Sequence, residues 1–308
     1  MEKKCQVCGS SSVASVSTLK HYWRCCNSCG SATRTDIKDY EKRFAFRFSH
    51  KTLMKHKPPM ATSIGKNKII GNDPSLLFDY MASDRHVQLH KEEYKVFENF
   101  IKDVIGQYDV NVNGKRILDI SGGNGSFIKE FEKLGARISM TEFNQKSVDF
   151  AKERFGIDAR KFDFNSDNIS SVFTGEAFDL LFLRFALMFC SDLDSFLKRV
   201  KTILSPGALV VVNGCTEPSL GTMLRFQYDD YAYLVLYNSE KLKRIFRDNG
   251  FVIKGEHTIN SKHNIYSWDM HPKVKRLDLF LYRIPAYFKW KNHDLKIRSN
   301  VFLFQRVD

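Results

Sequence analysis

From about residue 115 onward, short apolar runs alternate with stretches whose apolar residues recur every three to four positions. RILDI (116–120), ARISMTE (136–142), DARKFD (158–163), FDLLFL (178–183), ALVVVNG (208–214) and FVIKGEH (251–257) have the length and apolar content of strands. Between them, FIKEFEKL (127–134), KSVDFAKERF (146–155), DLDSFLKRVKTIL (192–204) and SEKLKRIFRDNG (239–250) gather their apolar residues on one helical stripe. Ser239 is the expected N-cap of the last helix and Gly250 its terminating glycine. SNVFLFQRV (299–307) supplies a closing strand. This alternation predicts an α/β sheet. Upstream the pattern changes. VASVSTLKHYWRC (13–25) alternates with a period of two and predicts a hairpin, while residues 71–105 open on a turn at Asn72-Asp73-Pro74 and continue with helical periodicity.

Five of the seven cysteines lie in the first 29 residues, as Cys5-Gln-Val-Cys8-Gly9 and Cys25-Cys26-Asn27-Ser28-Cys29-Gly30. Two Cys-x-x-Cys-Gly turns at this separation have the spacing of a structural zinc ribbon. Each two-residue gap lets both sulfurs reach one metal, and the following glycine frees the backbone as amides turn toward the thiolates. Cys5, Cys8, Cys26 and Cys29 are the expected ligands, with Cys25 able to replace Cys26. A site closed by four sulfurs holds structure rather than activating water. Disulfides are the rival, and the N-terminus MEKKCQVCGS lacks the apolar core of an export signal. Cys190 and Cys215 are expected to be isolated buried thiols.

The net charge of +13 changes the picture through its placement. Residues 1–60 carry 12 Lys/Arg against 4 Asp/Glu, and residues 262–308 carry 10 against 4, while the 201 between them are nearly neutral. Basic ends suit an anionic partner such as RNA, a nucleotide-linked sugar or phospholipid headgroups; the plain alternative is solubility. The most apolar stretch, residues 177–190, is too short to span a bilayer and is interrupted by Asp179 and Arg184, so a cytoplasmic protein is expected.

Residues 117–125 read ILDISGGNG: strand, acid, then a glycine-rich turn into a helix. This resembles the first motif of class I S-adenosylmethionine-dependent methyltransferases, Asp-x-Gly-x-Gly-x-Gly. Asp119, Gly123 and Gly125 match it, and the small Ser121 stands where the first glycine is expected. A nicotinamide-binding loop would need a third glycine where Ile128 stands. The resemblance continues in order through Glu142 at the end of the second strand, Asp163 in KFDFN, and the strand, helix, Pro206-Gly207 turn and strand of residues 178–212. It ends on the helix and Gly-Phe of residues 237–255. What it implies is a Rossmann-like seven-stranded sheet ordered 3-2-1-4-5-7-6, behind a small zinc ribbon (1–35) and a helical connector (36–114). The methyltransferase domain would then span 115–308, with an insertion at 259–297.

The same resemblance implies roles. Backbone from Ser121 through Gly122, Gly123 and Asn124 to Gly125 would pass beneath the methionine and ribose of S-adenosylmethionine. Glu142 would take the ribose hydroxyls, Phe143 and Phe164 would flank adenine, and Asp163 would meet its amino group. Arg184 would line the cofactor or face the acceptor. Tyr80 and Arg85 stand where related enzymes bring an N-terminal segment over the cofactor's carboxylate. Candidates for a proton acceptor are Glu217, Tyr231 and His257.

Two absences bear on the acceptor. The fourth strand is followed by neither Asn/Asp-Pro-Pro-Tyr/Phe, which grips exocyclic amines of bases, nor the Pro-Cys of cytosine-carbon methylation. The overall plan resembles bacterial methyltransferases of surface-polysaccharide, sugar and secondary metabolism, which implies a small-molecule or glycan acceptor. An RNA acceptor held by the ribbon and basic ends is the alternative, and a catalytically inactive binding subunit the second. The aromatic and basic stretch at 277–290 suits stacking on sugar or base, an interfacial contact, or a helical flap.

Overall fold

The computed structural model describes residues 4–17, 22–35, 82–223, 235–259 and 299–307. These fall into two compact units: residues 4–17, 22–35, 215–223, 235–242 and 299 in one, and residues 82–214, 243–259 and 300–307 in the other.

The first unit is a small antiparallel sheet. β1 (Val13–Ser17) pairs with β2 (Tyr22–Cys26) as the expected hairpin, and β2 pairs with β3 (Ala32–Arg34). A fourth strand, Val235–Leu236, comes from far along the chain and pairs with β3 through Ala32 and Thr33. Trp23, Cys25 and Ala32 are buried within the unit.

In the second unit, α1 (Asp84–Gly106) precedes a regular alternation of strand and helix. It runs β4 (Arg116–Ile120), α2 (Ser126–Glu132), β5 (Arg137–Glu142), α3 (Gln145–Phe155), β6 (Asp158–Lys161) and α4 (Ile169–Val172). It then continues through β7 (Phe178–Arg184), α5 (Leu193–Lys201) and β8 (Leu204–Thr216). With Val235–Leu236 taken as β9, the chain closes through α6 (Ser239–Asp248), β10 (Phe251–Ile259) and β11 (Ser299–Arg306). The seven-stranded sheet has the order β6-β5-β4-β7-β8-β11-β10, which is the expected 3-2-1-4-5-7-6. The pairs β5–β6, β4–β5, β4–β7 and β7–β8 are parallel.

Three local expectations shift. β8 starts at Leu204, so Pro206-Gly207 lies inside the strand, where its register with β7 breaks between Phe178 and Leu180. β6 stops at Lys161: the Phe162 amide makes the last bond to β5, at the Glu142 carbonyl, and the Asp163 carbonyl then accepts the Asp167 amide in a turn. Asn238, not Ser239, caps α6: its Oδ1 accepts from the amides of Glu240 and Lys241.

Core packing fixes which side chains share a face. Ile117, Met140, Phe182 and Val211 lie in one buried cluster with Ile101 and Val104 of α1, Phe127 and Phe131 of α2, and Val148 of α3. Strand side chains alternate between faces. Asp119, Glu142, Arg184 and Asn213, each two residues beyond one of those core residues, therefore rise on this same face at the carboxyl ends of β4, β5, β7 and β8. On the opposite face Phe246 of α6 stacks on Phe304 of β11, with ring centroids 4.0 Å apart.

Candidate functional site

Between β4 and α2 the chain turns in five residues, with Ser121, Gly123 and Gly125 all in the left-handed region at φ 62°, 63° and 83°. Ser121 thus adopts the conformation that the motif glycine would have, at the modest cost of one small side chain. A Cβ on Gly125 would lie 2.7 Å from Ile157 Cδ1 and 3.1 Å from Met140 Sδ, so only glycine lets α2 start this close to β5. Asn124 Oδ1 accepts from the Ser126 amide (3.1 Å) and steadies the first turn of α2.

Glu142, at the end of β5, holds this turn in place. Its Oε2 accepts the Gly123 amide at 3.0 Å, and its Oε1 accepts the amides of Phe143 (2.8 Å) and Asn144 (3.4 Å). A carboxylate has about four acceptor positions, so one remains for a hydroxyl donor. Burial pushes the Glu142 carboxyl above its ordinary value; the three amides oppose this, and the neighbouring Asp119 adds to it.

Asp119 is fully buried and is met by the Arg184 guanidinium, with Nη2 2.7 Å and Nε 3.2 Å from Oδ2. The same guanidinium carbon sits 3.7 Å from the centroid of the Phe127 ring. Arg184 is therefore engaged by an acid and an aromatic face together. From the other side α1 approaches: His86 Nδ1 lies 2.9 Å from Asn124 Nδ2, and Ser83 caps the helix by accepting the His86 amide at 3.2 Å. Farther along the edge, Asp163 accepts the Asn165 amide (2.9 Å), and the Phe164 ring packs against Phe196 with centroids 5.2 Å apart.

The first unit builds a different kind of site. Cys5, Cys8, Cys26 and Cys29 bring their sulfurs within 4.8 Å of one another. Its two knuckles repeat each other: the Gly9 amide closes on the Cys5 carbonyl (2.9 Å) and the Gly30 amide on the Cys26 carbonyl (3.0 Å). The glycines have φ 74° and 73°, and the amides of Val7 and Cys29 point at the sulfurs of Cys5 and Cys26, each at 3.4 Å. The Cys5–Cys29 and Cys8–Cys26 sulfur pairs are 3.8 and 3.6 Å apart, and a zinc tetrahedron with bonds of about 2.3 Å has edges of about 3.8 Å. Its hydrogen bond to Cys29 and its burial push the Cys5 thiol up, while the same hydrogen bond pulls Cys29 down. Four sulfurs this close could share one cation, and the set fits zinc. Cys25 is buried, with its sulfur 3.9 Å from Met223 Sδ, and lies outside the cluster.

The profile of a family described as a methyltransferase domain matches residues 118–212, from within β4 to within β8. The chain carries a class I S-adenosylmethionine-dependent methyltransferase domain. It is 24% identical over 200 residues to a ubiquinone/menaquinone biosynthesis C-methyltransferase of Pseudoalteromonas translucida, covering 61% of this chain and 78% of that one. A protein of the same description from Pseudomonas paraeruginosa is 23% identical over 130 residues, covering 40% and 50%. The chain thus spans about half the length of that relative. Among solved structures, a candidate sarcosine dimethylglycine methyltransferase from Galdieria sulphuraria shares the fold at a TM-score of 0.51 and 11% identity, covering 68% of this chain and 85% of that one.

Within the methyltransferase domain, the structure brings Asp119, Ser121 to Gly125, Glu142 and Arg184 together at one edge, with His86 joining from α1. The proton-acceptor candidates do not gather there. His257 Nε2 is 3.1 Å from Tyr108 Oη, and Tyr108 lines a cleft with Lys115, Asp179 and Pro206 at the amino ends of β4, β7 and β8. Glu217, in the ribbon's unit, accepts the Ser239 amide at 3.3 Å and so supports the start of α6. Tyr231, Tyr80 and all but the first residue of the insertion at 259–297 lie outside the described residues, as does the Arg85 side chain. His86, Phe185 and Asn213 were not singled out by the sequence. The only signal for the last is an Asn-Gly pair closing a run of valines.

Proposed function

We propose that this chain transfers the methyl group of S-adenosylmethionine to a small-molecule acceptor. One observation carries the reading: Glu142 is anchored to the glycine-loop amide of Gly123 and keeps an acceptor position for a ribose hydroxyl. When bound, the cofactor supplies a methyl already activated on a sulfonium. The chain's own task is then to hold the acceptor in line and to remove a proton where the acceptor needs it. In this reading the backbone from Ser121 to Gly125 lies beneath the methionine and ribose. Phe143 flanks the adenine with Asp163 at its amino group, and Phe164 supports that corner from below. Arg184, neutralised by Asp119, shapes the edge rather than offering a free charge.

The named relatives act in quinone biosynthesis, and this supports a small-molecule acceptor over a polymeric one. A sugar or glycan is the finer expectation, from the ribbon–connector–core plan. Cys5, Cys8, Cys26 and Cys29 would hold one structural zinc, and thiols kept reduced for a metal suit the cytoplasm. No helix among the described residues is long and apolar enough to cross a membrane. The test is incubation with methyl-labelled S-adenosylmethionine and native cell extract, with and without ribonuclease. Label in a nuclease-resistant small-molecule fraction is expected. Label that vanishes with ribonuclease would move the acceptor to RNA, and tight cofactor binding without any label would mark a binding subunit.

A further inference from the structure

Within β8, three fully buried valines, Val210, Val211 and Val212, lead into Asn213 at 1% exposure. Among the described residues, neither Oδ1 nor Nδ2 of Asn213 has a hydrogen-bond partner. An amide is a poor choice for this position on stability grounds, because a leucine would fill similar space without two unpaired polar atoms. The backbone does not require it either, since its hydrogen bond from the Phe185 amide to the Asn213 carbonyl (3.0 Å) would survive any side chain.

The surroundings of Asn213 are equally costly. It is in register with Arg184 on the adjacent strand and shares its face of the sheet. The next residue, Phe185, is a non-glycine at φ 51°, and its ring occupies the space that a side chain at position 214 would need. A Cβ on Gly214, itself at φ 75°, would lie 2.2 Å from Phe185 Cδ1. An orphaned amide, a left-handed aromatic and a glycine that makes room for it thus meet at the carboxyl edge. Such strain persists where it serves a ligand.

The chemistry of the missing partner follows. The carboxamide offers one donor and one acceptor side, and the nearby Arg184 charge is already answered by Asp119. A neutral group that accepts and donates together fits both, and a hydroxyl is the smallest such group on an organic acceptor. We propose that Asn213 binds and orients a hydroxyl of the methyl acceptor, with the Phe185 ring as the apolar wall beside it. This rests on the methyl-transfer reading above and adds the group by which the acceptor is recognised.

The test compares the full-length protein with Asn213→Leu and Asn213→Asp by three measurements. These are melting temperature, S-adenosylhomocysteine affinity by calorimetry, and label transfer from methyl-labelled cofactor into serial dilutions of nuclease-treated extract. For Asn213→Leu we expect a melting temperature at or above wild type, cofactor-product affinity within two-fold, and at least ten-fold more extract for half-saturation. Asn213→Asp, which keeps the acceptor side and loses the donor, should shift half-saturation in the same direction. A melting temperature lowered by several degrees with half-saturation unmoved overturns the proposal, since the amide would then be satisfied by a buried water alone. A ten-fold loss of S-adenosylhomocysteine affinity also overturns it, by assigning the amide to the cofactor. Wild type that binds S-adenosylhomocysteine but labels no fraction overturns the function and this proposal together. Wild-type labelling with an unchanged variant overturns only this one.

Discussion

The cysteine cluster and the carboxyl edge of the large sheet are both preorganised for a ligand, yet they are built by opposite means. The cluster draws its donors from two turns 18 to 24 residues apart in sequence, around a sheet with little core. The edge draws its polar groups from residues 119, 142, 184 and 213, aligned by parallel strands over a large apolar cluster. In the first, a metal held by the four sulfurs would be part of what holds the unit together. In the second, the scaffold stands by itself and tolerates unfavourable features, such as a buried acid or an unpaired amide, as the setting for a ligand.

The largest effect should come from breaking the cluster. Structural zinc binding in small modules is worth about 10 kcal/mol or more, so Cys26→Ser should abolish stoichiometric zinc and unfold the ribbon. Cys25→Ala, one residue away, should keep one equivalent of metal. Elemental analysis with thermal melting would read both, and zinc loss from Cys25→Ala alone would reverse the assignment of the ligand. Next is the buried ion pair. Arg184→Leu removes the guanidinium that faces the buried Asp119 carboxylate and should cost about 3–5 kcal/mol of the large unit's stability. Adding Asp119→Asn should recover much of that loss, and an additive double variant would show that the two do not depend on each other.

Smaller effects sharpen the edge. Glu142→Ala should weaken S-adenosylhomocysteine binding about ten-fold, by calorimetry, with a modest change in melting temperature. An unchanged affinity would remove Glu142 from the cofactor site. The smallest effect is the pH dependence of that binding. A ribose hydroxyl donates to the ionised carboxylate, and burial holds the Glu142 carboxyl above its ordinary value in the free protein. Protons therefore compete with the cofactor: affinity should fall as pH drops through that raised value, and binding should release protons. Calorimetry from pH 8 to pH 5 in two buffers of different ionisation enthalpy checks both.

What the sequence reveals tracks this same contrast. Spacing favours Cys26 and leaves Cys25 as a substitute, since a metal knuckle is a local object; only the folded positions of the sulfurs separate the two. Strand positions are legible too: β4, β5, β7 and β11 each start and end within about one residue of the apolar runs, because burial dictates composition. Glu142 is found through its distance from the glycine turn. The pairing of Arg184 with Asp119 is not found, since 65 residues separate them and a charge ending a strand reads equally as a ligand contact. His86 is hidden for the same reason, as its meeting with Asn124 depends on how α1 docks. Asn213 is the least legible of all, because what singles it out is a missing partner, visible only once every neighbour is in place.

The fourth strand of the ribbon sheet has a consequence in time. β3 ends at Arg34, and the strand that covers its edge ends at Leu236. At ribosomal rates of about 5–20 residues per second, the intervening chain takes about 10–40 s to emerge. During that interval the nascent hairpin and β3 carry an uncovered edge, available to any extended peptide nearby. The two ends of that pairing must also travel together in any transplant: a ribbon excised at residue 35 leaves its last strand behind in the donor.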